Sequence, residues 1–124
     1  LDLGEVKNLV AVALNGRELG VVWKPPFRID ITGAARVGRN SLELRVTNLW
    51  PNRLIGDEQL PADTEWLDTR IKSWPAWLQA GQPSPTGRLT FSTRRHWSKR
   101  DSPLPAGLLG PVVLRSSVVS EDRP

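Results

Sequence analysis

The amino-acid sequence predicts an all-β protein, an antiparallel β-sandwich that carries a short helical insertion. Apolar and polar residues alternate with a period of two through much of the first 50 residues, as they do in strands with one face on a core. An Asn15-Gly16 pair stands between two such runs. The 124 residues, 39% hydrophobic and 24% charged, have the composition of one globular domain spanning residues 1–124.

The first predicted element is a β-hairpin. Val10, Val12 and Leu14 alternate with alanines, and Asn15-Gly16 suits a type I′ turn, whose two central residues need a positive φ. The returning strand runs from Arg17 to Trp23, with the Trp23 side chain expected in the core. A two-residue loop predicts the cross-strand pairs Leu14–Arg17, Val12–Leu19 and Val10–Val21.

Two further strands are predicted before residue 50. Pro25-Pro26 ends the pairing of the hairpin, because proline has no amide hydrogen. The alternation from Phe27 to Ile31 predicts a half-buried strand, and the alternation from Leu42 to Thr47 predicts another. Residues 32–40, which include two glycines, are expected to form a loop or one helical turn.

Residues 49–87 lack this period and predict a Trp-rich irregular insertion. Asp63-Thr64-Glu65 could begin a short helix. A second short helix is expected after Ser73 and should end near Ala80, because Gly81 follows. Long connections in a compact domain are often functional, so a binding site is sought here first.

The remaining residues predict fewer strands. We expect a short strand from Leu89 to Thr93 and a proline-punctuated loop from His96 to Ala106. The segment Leu108–Val119 is expected to close the fold with a strand at Val112–Leu114 that continues to Val119. About six strands are fewer than the seven or eight of a closed sandwich. Because the chain begins at Leu1 without Met, we expect a fragment that lacks N-terminal strands and a homodimer formed through the unpaired edges.

The composition excludes several kinds of site. The chain has no Cys, which excludes disulfides, thiolate catalysis and Cys-type zinc sites. His96 is the only histidine, so a two-His metal site cannot form, and no order of Ser, His and Asp in the sequence suggests a catalytic triad. No apolar run approaches the roughly 20 residues of a membrane span. The net charge of +4 lies mostly after Gly87 and favours a solvated loop or an acidic neighbouring domain over nucleic acid.

Several segments carry a resemblance to a known family. Residues 14–32, with the Leu-Asn-Gly turn and the Trp-Lys-Pro-Pro-Phe run, and residues 38–48 resemble the sugar-binding jelly-roll domain of family 2-type glycoside hydrolases, which has the galactose-binding-like fold. Residues 49–59 (LWPNRLIGDEQ) and 107–112 are similar to the C-terminal part of bacterial α-L-rhamnosidases of the family-106 type. The resemblance implies an accessory sandwich whose hydrolytic carboxylates lie in a separate catalytic barrel.

The tryptophans are the first candidates for ligand contact. The chain has six Trp and no Tyr, and an exposed indole can stack on the flat C–H face of a sugar ring. The alternative is that these indoles close the end of the sandwich or pack against a catalytic domain. The candidate tryptophans in the insertion are Trp50, Trp66, Trp74 and Trp77.

Asp57 and Glu58 are adjacent carboxylates close to Asn52 and Arg53. Glycosidic acid–base chemistry needs two carboxyl groups about 5 to 10 Å apart on either side of one sugar, whereas neighbours on an extended chain point to opposite sides. These four residues are therefore candidates for polar contact with a sugar, with an Arg53 salt bridge or a structural loop network as alternatives, and no catalytic residue is predicted.

A second group of candidates surrounds the single histidine. His96 and Trp97 lie among basic residues and could line a ligand cleft, or the run could be a solvated loop. No cofactor is predicted, apart from a structural Ca²⁺ for which EF-hand spacing gives no support. Its oxygen ligands would come from Asp2, Asp30, Asp57 and Asp101.

The residues and the resemblance together predict a non-catalytic carbohydrate-binding or accessory domain of a large glycoside hydrolase, secreted or periplasmic by its family. Its partners would be carbohydrate and the catalytic domain of the same polypeptide, without nucleic acid or membrane. The alternative is a purely structural interaction domain that packs on the catalytic barrel or self-associates.

Overall fold

The computed structural model describes residues 1–117, which contain mostly antiparallel strands and two short helices. This agrees with the predicted all-β class. The described residues form two compact units: the first contains residues 1–49 and the segment from Pro105 onward, and the second is Trp50–Leu104. The predicted insertion begins at residue 49, one residue before the second unit, which continues beyond residue 87.

The first unit contains two antiparallel sheets. One has three strands in the order β3-β2-β4, formed by β2 (Leu9–Leu14), β3 (Arg17–Val22) and β4 (Leu42–Thr47). The other pairs β1 (Glu5–Lys7) with β7 (Gly107–Gly110). The hairpin at Asn15-Gly16 and the strand at Leu42–Thr47 are both where the sequence predicts them, and Asn15 and Gly16 have φ values of 53° and 79°.

The register of the hairpin differs from the prediction beyond its first pair. Leu14 faces Arg17 as expected, but the register then shifts, so that Val12 faces Gly20 and Val10 faces Val22. The predicted pairs Val12–Leu19 and Val10–Val21 are wrong. A β-bulge adds one residue to β3, and a one-residue slip sends each later side chain to the opposite face.

Trp23 is exposed as a consequence of this bulge. The side chain was expected in the core, but 66% of the residue is exposed to solvent, whereas Val22 is half-buried against the core. The prediction was wrong because it extended the alternation of the strand through the bulge.

The core of the first unit is a small cluster of aliphatic and aromatic side chains. Val10 and Val12 reach it from β2, and Leu44 and Val46 of β4 pack against it. The segment before β2 completes the cluster. Its buried members are Leu3, Val6, Val10, Val12 and Phe27.

The predicted strand from Phe27 to Ile31 is not a regular strand. Only Arg28 forms a bridge, with Asp2, although the Leu3 amide donates to the Phe27 carbonyl at 2.8 Å. Phe27 is nevertheless buried, as its alternation predicts.

A buried carboxylate joins three segments of the first unit. Asp2 Oδ2 accepts hydrogen bonds from Nε of Arg28 and Nε of Arg115, each at 2.8 Å. The backbone amide of Gly4 donates to Oδ1 at 3.0 Å. These contacts lower the pKa of Asp2 to about 2, and the hydrogen bond from the Gly4 amide has the largest effect.

The second unit has little regular structure. It contains α1 (Pro51–Asp57), a two-stranded hairpin of β5 (Trp66–Leu67) and β6 (Arg70–Ile71), and α2 (Ala76–Gln79). The helix before Gly81 is confirmed, although Pro75 rather than Ser73 is its N-cap. The helix predicted to start at Asp63 is wrong, because the hairpin occupies residues 66–71 instead.

The last predicted strands are displaced or absent. Residues 89–93 are irregular, and the closing strand is β7 rather than Val112–Leu114, where only Val113 forms a bridge, with Asp2. Gly107 and Gly110 are the first and last residues of β7, which overlaps only the start of the predicted closing segment Leu108–Val119. The predicted continuation to Val119 lies outside the described residues. Within residues 1–117, no helix has the length and apolar character needed to span a membrane.

Candidate functional site

All ten residues that the sequence marks as candidate ligand contacts lie in the second unit. Five of them line one cleft: Asp57, Glu58, Trp66, His96 and Trp97. The other five, which lie outside the lining of this cleft, are Trp50, Asn52, Arg53, Trp74 and Trp77.

Helix α1 places the two adjacent carboxylates. Trp50 is its N-cap and Pro51 its first residue, a position where proline is favoured because that amide has no partner inside the helix. Asp57 is the last helical residue, and Glu58 is the C-cap. The sequence interpretation assumed an extended chain here and missed this helix, although Pro51 was the available signal.

Asp57 is buried and serves as an anchor for the segment that follows Gly87. Only 4% of the residue is exposed. Its Oδ2 accepts hydrogen bonds from the amides of Leu89 and Thr90, at 3.1 and 2.8 Å, and from the Thr90 hydroxyl at 2.6 Å. Burying a carboxylate is costly unless donors replace water, and these three donors do so.

Glu58 is the centre of an ion network. Its Oε1 accepts from Nη1 of Arg88 at 2.9 Å, and its Oε2 accepts from Nη2 of Arg95 at 2.6 Å. The Glu58 and Arg88 side chains are 9% and 10% exposed, whereas Arg95 is 46% exposed. Arg88 also donates to the carbonyls of Leu60 and Pro61, each at 2.9 Å. Both oxygens of Glu58 are therefore occupied by protein donors.

The cleft beside this network has aromatic walls. Trp66, Phe91, His96 and Trp97 line it, and the rings of His96 and Trp97 meet edge to face with their centroids 5.2 Å apart. Trp66 and Trp97 are half-buried, while His96 is exposed. The arrangement offers apolar faces next to charged groups, which suits a ligand that is partly apolar and partly polar.

Asp63 lines the same cleft and was not a candidate from the sequence. Its side chain is 7% exposed, and its Oδ1 accepts from the Thr64 hydroxyl at 3.1 Å and lies 4.0 Å from Nε of Arg88. Oδ2 is buried without a hydrogen bond from any described protein group. Sequence reasoning took Asp63 as a helix start, and only its proximity to Arg88, 25 positions later in the sequence, reveals its charged environment.

Trp74 and Trp77 pack around Phe91 rather than on the cleft. The ring centroids of Trp74 and Phe91 are 5.6 Å apart, and those of Trp77 and Phe91 are 6.1 Å apart at a nearly perpendicular angle. Trp77 Nε1 donates to the Asp63 carbonyl at 3.0 Å, so Trp77 is tied into the unit. Trp74 remains 55% exposed.

The remaining three candidates have separate environments. Asn52 donates to the Leu104 carbonyl at 2.8 Å and accepts from the Leu104 amide at 2.7 Å, which closes the second unit at its two ends. Trp50 is 67% exposed and lines a groove with Leu54 and Leu89. Arg53 is exposed on α1 and makes no ion pair with a described residue, so the expected Arg53 salt bridge is absent from this part of the chain.

The acidic residues considered for Ca²⁺ have hydrogen-bond partners within the protein. Asp30 accepts from the Thr32 hydroxyl at 2.6 Å and its amide at 2.9 Å, which lowers the Asp30 pKa. Asp101 accepts from the Ser98 amide, and Asp2 and Asp57 are engaged as described above. Among residues 1–117, no group of three or more His, Asp or Glu side chains could hold a metal ion.

Comparisons with known proteins relate the chain to parts of larger proteins. No family model matches it. A protein of Formosa agariphila named "Putative beta-glucuronidase" is 53% identical over 112 residues, which cover 90% of this chain and 10% of that protein. The structure of a rhamnosidase from Novosphingobium sp. PP1Y matches with a TM-score of 0.63 and 33% identity, covering 89% of this chain and 8% of that one.

The chain thus spans about a tenth of the length of the curated relative that it matches. Both proteins carry names of glycoside hydrolases, and in each the matching part is small. The chain is therefore related to a segment found in large glycoside hydrolases.

Proposed function

We propose that the chain is a non-catalytic accessory segment of a larger glycoside hydrolase and that the aromatic cleft of its second unit binds carbohydrate. The observation that carries the first part is the coverage: nearly all of this chain corresponds to about a tenth of each larger protein. A segment that makes up about a tenth of a glycosidase is more consistent with an accessory role than with the complete enzyme.

The cleft supplies the chemistry for carbohydrate. Trp66 and Trp97 offer half-buried indole faces for the C–H face of a pyranose ring, and His96 and the exposed part of Arg95 offer polar contacts to hydroxyl groups. Sites for small molecules combine an apolar surface with a few fixed polar groups in this manner. Contact on one side predicts weak, millimolar affinity.

The state of the carboxylates supports a role without bond cleavage. Glycoside hydrolysis needs one carboxyl group that can give a proton and another that can reach the anomeric carbon or a water molecule. Asp57 is held by three donors, and both oxygens of Glu58 are held by arginines. Neither is free to flank a sugar, so we expect no turnover of an aryl rhamnoside or aryl glucuronide.

The fold and location belong to the same proposal. The resemblance seen in the sequence implies that the first unit is a jelly-roll sandwich of the galactose-binding-like type, and that the parent enzyme is an α-L-rhamnosidase relative. Such an enzyme would be secreted or periplasmic, and no cofactor would be needed for binding.

Calorimetric titration tests the proposal. The chain is titrated with rhamnose, galactose, glucuronate and plant oligosaccharides at millimolar concentration. Trp97→Ala should weaken binding about tenfold, which corresponds to about 1.4 kcal/mol of stacking. Trp23→Ala, which removes an exposed indole of the first unit, is the matched control and should leave affinity unchanged. Flat heats with every sugar would refute carbohydrate binding.

A purely structural role is the second candidate, and the exposed tryptophans favour it. Trp23, Trp50 and Trp74 are 66%, 67% and 55% exposed, and exposed large apolar side chains are typical of protein contact surfaces. In this case they would pack on the catalytic domain of the parent, or two copies of the chain would associate through strand edges. Light scattering helps to distinguish the structural role from carbohydrate binding. A stable dimer without affinity for sugar supports the structural role.

A further inference from the structure

Arg70 and Arg94 lie directly opposite each other in an antiparallel bridge of the second unit. The Ile71 amide donates to the Thr93 carbonyl at 3.2 Å, and the Arg95 amide donates to the Thr69 carbonyl at 2.7 Å. These two bonds flank the arginine pair, which makes it a non-hydrogen-bonded pair of the ladder. In such a pair the two side chains leave the same face with their Cβ atoms about 4.5 to 5.5 Å apart.

Two like charges in this position repel each other and destabilise the pairing. Within residues 1–117, neither guanidinium makes a hydrogen bond or an ion pair. Glu65 binds Lys72 at 2.8 Å, Glu58 binds Arg88 and Arg95, and Asp68, in the turn that precedes Arg70, makes no ion pair with either arginine. The two arginines therefore make no ion pair within the described residues, although the Asp68 carboxylate lies two positions before Arg70 in the sequence.

The arginine pair adjoins the aromatic cleft. Arg94 lines the cleft together with Trp66 and Trp97, and both arginines are exposed. Leu67 is the strand partner of Arg70 and is 72% exposed. Arg70 is not among the residues that line the cleft, and because neighbouring strand residues point to opposite faces, Arg70 and Leu67 lie on the face of the hairpin opposite Trp66. An anion held between the two guanidiniums would thus lie beside the aliphatic side chain of Leu67.

We propose that Arg70 and Arg94 bind the anionic group of an acidic carbohydrate, either the carboxylate of a uronic acid or a sulfate ester. Guanidinium groups bind planar carboxylates and tetrahedral oxyanions through paired N–H donors. The sugar ring that carries the anion would pack against Leu67, and the ligand would extend past Arg94, which lines the cleft. This inference rests on the proposed carbohydrate binding and adds the class of sugar.

The test compares neutral and acidic ligands on the full 124-residue chain. A neutral disaccharide, its uronic acid counterpart and its sulfated counterpart are titrated by calorimetry at low and physiological salt. Inorganic sulfate is titrated separately. The variant is R70Q/R94Q, and the matched control is R39Q/R100Q, which removes the same charge at two exposed positions outside the cleft. Circular dichroism verifies that both variants fold.

We expect at least one acidic ligand to bind about tenfold more tightly than the neutral one at low salt. The advantage should fall as salt rises, vanish in R70Q/R94Q and persist in R39Q/R100Q. A preference for the uronic acid or for the sulfate ester identifies which anion is recognised.

Three results would overturn the inference. If neutral and acidic sugars bind equally, or if R70Q/R94Q keeps the preference, the arginine pair does not select the ligand, although the carbohydrate site stands. If inorganic sulfate binds and no sugar does, the pair is an anion site unrelated to carbohydrate. If no sugar binds and sulfate does not bind either, both this inference and the proposed function fail.

Discussion

Asp57 and Thr90 are 33 positions apart in the chain and are joined by two hydrogen bonds to one carboxylate oxygen. The Thr90 amide donates at 2.8 Å and its hydroxyl at 2.6 Å. The contact ties the end of α1 to the irregular segment that follows Gly87, in a unit with few regular hydrogen bonds. Polar contacts of this kind therefore hold the candidate cleft in shape.

Replacing Thr90 with Val should destabilise the second unit by about 1.5–3 kcal/mol, because a hydroxyl that donates to a buried carboxylate is lost without a change in size. Urea unfolding followed by Trp fluorescence measures this, since five of the six tryptophans lie in the second unit. Thr93→Val, at an exposed position, is the control and should change stability by less than about 0.5 kcal/mol. Equal effects of the two variants would contradict the role of the Asp57 contact.

Arg88 should matter more for stability than Arg95, although both bind Glu58. Arg88→Met leaves Glu58 with its buried Oε1 unpaired and is expected to cost about 3–5 kcal/mol. Arg95→Met removes a half-exposed partner and should cost about 1 kcal/mol or less. Unfolding free energies of the two variants give the comparison. A larger loss for Arg95→Met would mean that the network is organised around the exposed arginine instead.

The first unit should lose stability in acid through Asp2. Its pKa is lowered to about 2 by the Gly4 amide, Arg28 and Arg115, from an ordinary value of 3.8. Because the folded pKa lies below the unfolded one, the stabilisation is complete above about pH 4 and is lost as the pH falls toward 2. The free energies of unfolding of Asp2→Asn and of the original chain should therefore differ at pH 6 and converge as the pH falls from 4 to 2. A difference that stays constant through this range would refute the assignment.

Gly4 is expected to tolerate no side chain. Its φ is 65°, and a Cβ atom built there would lie 2.4 Å from the carbonyl carbon and oxygen of Gly110. Gly4→Ala should thus lower the free energy of unfolding by more than about 2 kcal/mol. The backbone of Gly110 must move away from the new Cβ atom, and alanine at position 4 must adopt a strained positive φ. Gly16→Ala is the matched control, because its φ is also positive at 79° but no atom lies within 4 Å. It should cost about 1 kcal/mol. Thermal unfolding of both variants, by circular dichroism, makes the measurement, and equal costs would contradict the close approach.

Local rules predicted the parts of the fold that depend on neighbours in sequence. The Asn15-Gly16 turn needs two positive φ values that these residues adopt readily, and the alternation of β4 needs only one buried face. The helix before Gly81 is also predicted by its own residues. The bulge in β3 is different: nothing in residues 17–23 alone indicates that Leu14 and Arg17 pair while Val12 faces Gly20.

The candidate site also has features that the sequence predicted and features that depend on the tertiary structure. The sequence by itself determined that the chain is an all-β protein and that five of its six tryptophans lie after residue 49. Only the tertiary structure decided their roles: Asp57 and Glu58 are held by donors 30 or more residues away, Trp23 is exposed by the bulge, and Arg70 faces Arg94. The physical reason is that backbone conformation follows from adjacent residues, whereas burial and pairing of side chains depend on which distant segments the folded chain brings into contact.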